Sequence, residues 1–206
     1  MATYSSYRLP IPEAAHQASL VGIDIDLTGV ITYCDHLIEQ SNVSKLNFIV
    51  WEAMSSAAVI RYARCFSTGT REQLPHDLLD GADSELREAH EYFIALRSKH
   101  FAHSVNPFEE NDVTVQIGDH FESSEEITEI NSVHGRTVGL SFSDPEQLKQ
   151  LAEWVHLKVR KMMEEERVKL LGFARMRPLA ELKAYGIPSP GSDATRSNVK
   201  KKRARP

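Results

Sequence analysis

Apolar residues recur every three or four positions through most of the first hundred residues, and this helical spacing most constrains the fold. It runs through residues 13–40, from Leu46 to about Phe66, and from Ser84 to about Leu96. Ser41 or Ser44 is expected to cap the second of these helices, and Ser84 with Asp83 to start the third. At Val113–Ile117 the pattern changes to strict alternation, which is typical of a half-buried strand. Long helices that precede any clear strand argue against a fold in which strands and helices alternate.

The second half of the chain returns to helical spacing after a short β segment. Ile127–Val133 and Arg136–Phe142 predict two further strands, and a cap followed by proline at residues 143–146 predicts a long helix to about Leu171. A short helix is expected near Leu179–Tyr185. We therefore predict a mainly α fold, a bundle of four to five helices. A small antiparallel hairpin or meander is inserted at about residues 112–142, before the last long helix.

The charge is unevenly distributed between the body of the chain and its end. We expect an extended segment at residues 1–12, a helical domain at 13–185 and a disordered basic tail at 186–206. The tail holds six basic residues and one acid, a charge of +5, and the whole chain carries −5, so residues 1–185 carry −10. An acidic body argues against a broad nucleic-acid footprint, so RNA would bind at a local basic pocket or with help from the tail.

The composition predicts a cytoplasmic globular protein. Hydrophobic residues make up 41% and charged residues 26%. No apolar run approaches the ~20 residues that span a bilayer, and the N-terminus lacks a secretory pattern, so we expect no membrane contact. Cys34 and Cys65 form no Cys-x-x-Cys pair, so we expect buried thiols in a reducing compartment.

The segment Leu96–Ser104 concentrates groups that suit phosphate chemistry. It places Arg97, Lys99, His100 and His103 on the last turns of a helix. A histidine with a pKa near ~6.5 can move a proton at neutral pH, and an arginine can hold two phosphate oxygens at once. The alternative is purely structural, because basic residues stabilise the last turn of any helix by complementing its dipole.

The spacing of this cluster sets a condition on its geometry. On an ideal helix Arg97 and His103 lie about 120° apart. They border one cleft only if the helix loosens at His103 or if a second copy of the helix packs across it. His100 is three residues from both and lies between them.

The segment resembles the signature of the HEPN superfamily, which is an arginine, four to six residues and a histidine. Arg97 and His103 enclose five residues. Val50–Ala53 and Arg61–Phe66 are similar to the second helix of HEPN-like proteins of the abortive-infection subgroup. The Ala-His-Ser ending of the segment and the strands that follow it are also similar. The resemblance covers roughly residues 15–170.

The resemblance implies a helical bundle that forms a homodimer, in which two motif helices make one composite cleft. It also implies metal-independent cleavage of RNA that leaves a 2′,3′-cyclic phosphate. Carried over by position, Arg97 would bind and polarise the phosphate, and His103 would act as base or acid. We expect the polar residues around them to contact the RNA: Ser98, Lys99, His100 and Ser104.

We therefore predict an endoribonuclease of HEPN type, a toxin or phage-defence effector of a bacterial cell. Its partners would be RNA, a second copy of the chain and an antitoxin or defence-system protein. The alternative is a non-catalytic module of the same fold that binds a nucleotide, RNA or a protein. We predict no cofactor and no metal, since the nine histidines form no His-x₃-His pair. His100 and His103, three apart, are the one pairing left open.

A third function is indicated by the segment from Asp24 to Val30. It matches the first motif of haloacid-dehalogenase-like phosphatases, in which Asp24 would be the nucleophile and Asp26 the acid/base. That family needs a parallel sheet built from alternating strands and helices. The simpler expectation is two carboxylates on the exposed side of the first helix.

The remaining aromatic and histidine residues are expected to be structural. We predict Trp51 and Trp154 to be core or dimer-interface aromatics. His90 and His156 lie in helical stripes and are expected to be packed. The segment His134-Gly135-Arg136 is predicted to be a hairpin turn.

Overall fold

The structure is a computed structural model, and it describes residues 5–69, 71–101, 109–119, 125–136 and 139–187. Besides a 3₁₀ turn at His76–Leu79 and a π turn at Arg97–Phe101, its elements within these ranges are five α-helices and one two-stranded sheet. In chain order they are α1 (Ala14–Ser41), α2 (Phe48–Arg64), α3 (Ser84–Leu96), β1 (Glu109–Asp119), β2 (Glu125–Arg136), α4 (Asp144–Arg175) and α5 (Leu179–Ala184). The predicted mainly α bundle, with a small antiparallel insertion before the last long helix, is confirmed. None of the helices described is both long enough and apolar enough to cross a bilayer.

The core lies between α1, α2, α3 and α4, because each presents an apolar face at helical spacing. α1 packs most extensively on α4 and on α2, and α3 covers α2 and α4. Tyr62 and Phe93 are among the largest fully buried side chains, and burying one such side chain contributes about 1.5–3 kcal/mol. Cys34 and Cys65 are buried free thiols, as predicted, and burial raises the pKa of each to about 12.

The helix starts follow capping chemistry, with one correction to the sequence prediction. Asp83, predicted to start α3, accepts a hydrogen bond from a first-turn amide at 2.8 Å. The caps predicted for α2 at Ser41 or Ser44 are wrong, because the Asn47 side chain accepts the amide of Val50 at 3.3 Å. Ser41 instead closes the last turn of α1.

The β insertion is a hairpin whose strands are longer than the alternation predicted. The turn predicted at His134-Gly135 is wrong, because both residues lie within β2 and pair with Asn111 and Glu110 of β1. Residues 139–142, predicted to end a third strand, form no strand. The insertion therefore forms a single two-stranded hairpin in the described residues rather than a meander.

The chain returns from the hairpin to the bundle at Leu140, which α2 holds. The Trp51 indole N–H donates to the Leu140 carbonyl at 2.9 Å, and the Leu140 amide donates to the Ser55 hydroxyl at 3.2 Å. Gly139 has a φ of +77°, and a Cβ there would lie 2.7 Å from Cδ1 of Trp51. Only glycine suits this position, because any side chain would add both backbone strain and a clash.

Candidate functional site

The predicted phosphate-binding cluster begins where α3 stops being an α-helix. Residues Arg97–Phe101 form a π turn, a wider turn that is rare in proteins and frequent at functional sites. The separation of about 120° between Arg97 and His103 assumed an α-helix, and the π turn changes that register. His103 and Ser104 lie outside the described residues.

Arg97 lines an open cleft of about 500 Å³ that the end of α2 also borders. Arg64, at the end of α2, and Arg71, in the segment that follows, bring two more guanidinium groups to the same cleft. Its other lining residues are small or apolar: Ile60, Ser67, Thr68 and Gly69. A cleft with three guanidinium groups can bind an anion with more than one phosphate oxygen, because each planar fork offers paired donors.

A buried carboxylate organises two of these arginines. Asp26 of α1 is 2% exposed. Arg64 donates to one Asp26 oxygen through Nε at 3.0 Å and to the other through Nη2, and Arg71 donates through its own Nη2. Arg61 lies farther away, with Nη1 at 3.9 Å from Oδ1 of Asp26. One negative charge thus meets three positive ones, and the surplus is positive.

The electrostatics keep this cluster charged at neutral pH. Burial by itself would raise the pKa of Asp26, but hydrogen bonds from Arg64 and Arg71, together with their charges, bring the pKa below its ordinary value. The bond to Asp26 in turn raises the pKa of Arg64. An arginine has five N–H donors, and Asp26 engages only Nε and Nη2 of Arg64, so that guanidinium keeps donors for a further anion.

Two glycines of α1 leave room for the arginines. A Cβ on Gly29 would lie 2.5 Å from Nη1 of Arg61, and a Cβ on Gly22 would lie 3.0 Å from Nη1 of Arg71. Gly22, Asp26 and Gly29 are four and three positions apart, so they share one face of α1. The missing side chains allow two guanidinium groups to lie against the helix beside the carboxylate.

The described residues that follow Arg97 in the predicted cluster do not line the cleft. The Ser98 hydroxyl lies 3.1 Å from each of two backbone carbonyl oxygens one turn earlier in α3 and donates to this helix. Lys99 is exposed, and His100 is half-buried. Of the described residues in the predicted cluster, Arg97 is the one that lines the cleft.

The expectation that Asp24 and Asp26 share the exposed side of the first helix is wrong. Asp26 is buried among the arginines, and Asp24 faces α4. There the Asp24 carboxylate bonds Nε2 of His156 at 2.7 Å and Nε of Arg160 at 3.3 Å. Periodicity alone missed the burial because Arg64 and Arg71, which make it tolerable, come 38 and 45 residues later.

The geometry around the phosphatase-like motif does not favour that third function. The motif lies inside α1 rather than at the end of a strand, and the sheet in the described residues is two-stranded and antiparallel. The two carboxylates also point to different partners. Asp26 pairs with arginines of α2 and the segment after it, and Asp24 pairs with α4.

The residues predicted to be structural are packed in the bundle. Trp51 is buried, and Trp154 is partly buried against the core with Nζ of Lys158 4.9 Å from the ring centre. His90 stacks edge-on against Phe66 at 4.6 Å between ring centres, and its ring bonds the Tyr62 hydroxyl at 2.8 Å. Within the described ranges no three His, Cys, Asp or Glu side chains gather as a metal site would require.

Sequence reasoning missed Arg64 and Arg71 as residues of the candidate site. Arg64 resembles any basic residue in the last turn of a helix, and Arg71 lies in a loop. One pattern could have indicated them: a carboxylate between two glycines on a helix face that is otherwise apolar. Such an arrangement predicts that large cationic side chains from elsewhere reach that face.

Comparisons with protein-family models, with curated proteins and with solved structures give no match to this chain. A functional assignment therefore depends on the chemistry of the cleft and on the motif resemblance.

Proposed function

We propose that this chain is a metal-independent endoribonuclease of HEPN type that acts at the cleft lined by Arg97. The observation that supports the proposal is that two further arginines line the same cleft as Arg97. The arginine singled out by the motif opens onto a cleft of about 500 Å³ with Arg64 and Arg71. The chain carries a net charge of −5, so an RNA phosphate backbone would be attracted to this local cationic cleft rather than to the protein surface as a whole.

The proposed reaction is an internal transfer at phosphorus. His103 takes the proton from the 2′-hydroxyl of the RNA, and the freed oxygen attacks the adjacent phosphorus. The bond to the 5′-oxygen of the next nucleotide breaks, and that oxygen leaves with a proton supplied by a general acid. The products are a 2′,3′-cyclic phosphate and a 5′-hydroxyl. Arg97, with Arg64 and Arg71, stabilises the negative charge that develops on the phosphoryl oxygens.

The proposal includes a homodimer, as the HEPN resemblance implies. A second copy of the motif helix would complete the cleft and supply the general acid that the leaving oxygen needs. The openness of the cleft along Arg64 and Arg97, both exposed, is compatible with such an arrangement.

Cleavage of mixed RNA in excess EDTA tests the proposal. We expect cleavage to persist without metal and to leave 2′,3′-cyclic ends. Arg97→Ala and His103→Ala should each lower the rate at least ~100-fold, the usual effect of losing a charge-stabilising or acid–base group. An RNA with a 2′-deoxy nucleotide at the cleavage position should stay intact, because the attacking oxygen is missing.

Arg87→Ala is the matched control. Arg87 is an exposed arginine of the same helix, α3, and does not line the cleft. This variant should cleave RNA at the rate of the unchanged protein. Equal activity in Arg97→Ala and Arg87→Ala would overturn the proposal.

The second candidate is a binding module of the same fold that holds RNA or a nucleotide without cleaving it. One observation favours it: the described lining of the cleft offers three arginines but no histidine, lysine or carboxylate to act as a base. This candidate predicts that RNA is retained in a filter-binding assay, with no cleavage, and that Arg97→Ala weakens the binding.

The proposed cellular role is that of a toxin or phage-defence effector held in check by an antitoxin or defence-system protein. Its test is growth after induced expression in a bacterial host. The unchanged chain should arrest growth, and Arg97→Ala should not. Arrest by both proteins would show that growth inhibition does not depend on the cleft.

A further inference from the structure

One face of the hairpin is apolar and open to solvent. Directly paired residues of antiparallel strands point to the same side of the sheet. The register therefore collects five aliphatic residues on one face, each at least 53% exposed: Val113, Val115, Ile117, Ile127 and Ile130. We call this the aliphatic face.

A register shift completes the aliphatic face. The pairing slips by one residue between Gln116 and Ile117, so Ile117 pairs with Ile127 rather than with Thr128. A bulge of this kind re-aims the side chains that follow it. Without the slip, Ile127 would point to the opposite side of the sheet.

The two faces of the hairpin differ sharply in charge. The aliphatic face extends from the Asn111–His134 pair to the Ile117–Ile127 pair without an Asp, Glu, Lys or Arg. The opposite face carries Glu110, Asp112 and Glu129, all exposed. Water solvates the acidic face well, so only the aliphatic face would gain stability by packing against another surface.

No described helix supplies that surface, because neither strand packs extensively on the bundle. A two-stranded hairpin alone is only marginally stable in water and needs a packed face to persist. Five aliphatic side chains at this exposure present on the order of 500 Å², the size of the largest apolar patch on a typical monomer, and a patch of this size is often an interaction site.

We infer that the aliphatic face is the interface with a second copy of this chain, packed face to face about a two-fold axis near the Val115–Ile130 pair. Two such faces bury on the order of 1,000 Å² together, the threshold for a specific interface. Both faces have the same length, so each covers the other completely. Neither brings a charge against the other, and the acidic sides of both sheets stay in water.

Charge disfavours an anionic lipid surface as the occupant. The chain carries −5 overall, and the opposite face of the same hairpin is acidic, so it would be repelled by such a surface. An unrelated protein would need its own apolar strip of matching length. A second copy supplies that strip by symmetry, as most soluble oligomers do.

The aliphatic-face interface is distinct from the motif-helix interface of the proposed nuclease, because no described residue of the hairpin lines the cationic cleft. The two proposals therefore fail separately: loss of RNA cleavage tests the cleft, and loss of association tests the aliphatic face. Sedimentation velocity of the full chain between about 1 and 100 μM tests it. We expect a dimer. The double variant Val115→Thr/Ile130→Thr should weaken its association on the order of 100-fold, because it removes the central apolar contacts while keeping β-branched residues.

Val133→Thr is the matched control. Val133 is a 52% exposed valine of β2 that pairs with Asp112 on the opposite face, so this variant should dimerise like the unchanged chain. Val115→Cys should form an intermolecular disulfide under mild oxidation, and Thr114→Cys should not. Circular dichroism confirms that each variant keeps its helices.

Three results would overturn the inference. The first is a monomer at the highest concentration. The second is an assembly that the double variant leaves unchanged in size and strength, which would place the interface elsewhere, as at the motif helices, and would leave the nuclease proposal standing. The third is co-sedimentation of the unchanged chain, but not of the double variant, with vesicles of mixed neutral and anionic phospholipid, which would assign the aliphatic face to a membrane.

Discussion

Asp24 and Asp26 lie two residues apart in α1, yet they meet opposite electrostatic environments. The Asp26 side chain is 3% exposed and contacts three arginines. The Asp24 side chain is 22% exposed and contacts one histidine and one arginine. Around Asp26 the positive charges outnumber the negative one, whereas around Asp24 one carboxylate faces one permanent cation.

The Asp24 contacts only connect two helices, whereas the Asp26 contacts also shape the candidate site. The Asp24 contacts join α1 to α4 and leave no surplus charge. The Asp26 contacts hold Arg64 and Arg71 in place and leave donors over, and these two arginines line the cleft with Arg97. A carboxylate with more arginines than it can neutralise prepares cations for a further anion.

The largest expected effect is on folding stability. Asp26→Asn should lower the free energy of unfolding by about 3 kcal/mol, because it leaves clustered arginines without a counter-charge. This value is at the low end of the range for buried pairs, since Arg64 is 56% exposed. Asp24→Asn should cost about 1 kcal/mol, because its partners are nearer to solvent. Urea unfolding measures both losses, and equal losses would contradict the comparison.

The contribution of Asp26 to folding stability should also depend on pH. Its pKa is lowered in the folded state, so its contribution is fully present above the unfolded pKa near ~3.9 and disappears as the pH falls through the folded value. We expect the stability difference between the unchanged chain and Asp26→Asn to be constant above about pH 5 and to shrink below about pH 4. A difference that grows on acidification would refute this account.

A smaller effect is expected on RNA affinity. Arg64→Ala should weaken RNA binding about tenfold and reduce its salt dependence by about one counterion, because one phosphate contact is lost. Arg160→Ala removes an arginine of similar exposure on the Asp24 side and should leave the affinity unchanged. Fluorescence anisotropy at several salt concentrations gives both values. An equal loss in the two variants would mean that the cleft has no special role.

The smallest expected effect comes from Gly29→Ala. The new methyl group would displace the Arg61 guanidinium, but Arg61 is the most distant of the three partners of Asp26. Alanine also favours the helix by about 1 kcal/mol over glycine. We expect the melting temperature to change by less than about 3 °C. A large loss would show that Arg61 matters as much to Asp26 as Arg64 does.

Much of the fold could be predicted because its determinants are local. The apolar spacing from Ser84 to Leu96 and the capping carboxylate of Asp83 are enough to place α3. The β insertion was harder, because His134-Gly135 has the composition of a turn although both residues continue β2. What decides between turn and strand is whether a partner strand lies opposite, and Glu110 and Asn111 provide that partner.

The candidate site was only half predictable for a related reason. Arg97 could be named because its motif lies within one segment. Arg64 and Arg71 could not, because their role depends on Asp26, a carboxylate that local periodicity assigned to solvent. Burial of a charge is decided by partners that folding brings together, and these two partners lie 38 and 45 residues from Asp26.

Because α2 fixes the backbone of Leu140 by two hydrogen bonds, the segment before Leu140 can vary in length and sequence. Since Trp51 and Ser55 fix the point of re-entry, the bundle does not depend on how long the excursion before it is. Doubling such an excursion costs only about 0.6 kcal/mol in closure entropy. The hairpin can therefore be lengthened, shortened or exchanged in the course of evolution while the packing of the helical bundle stays the same.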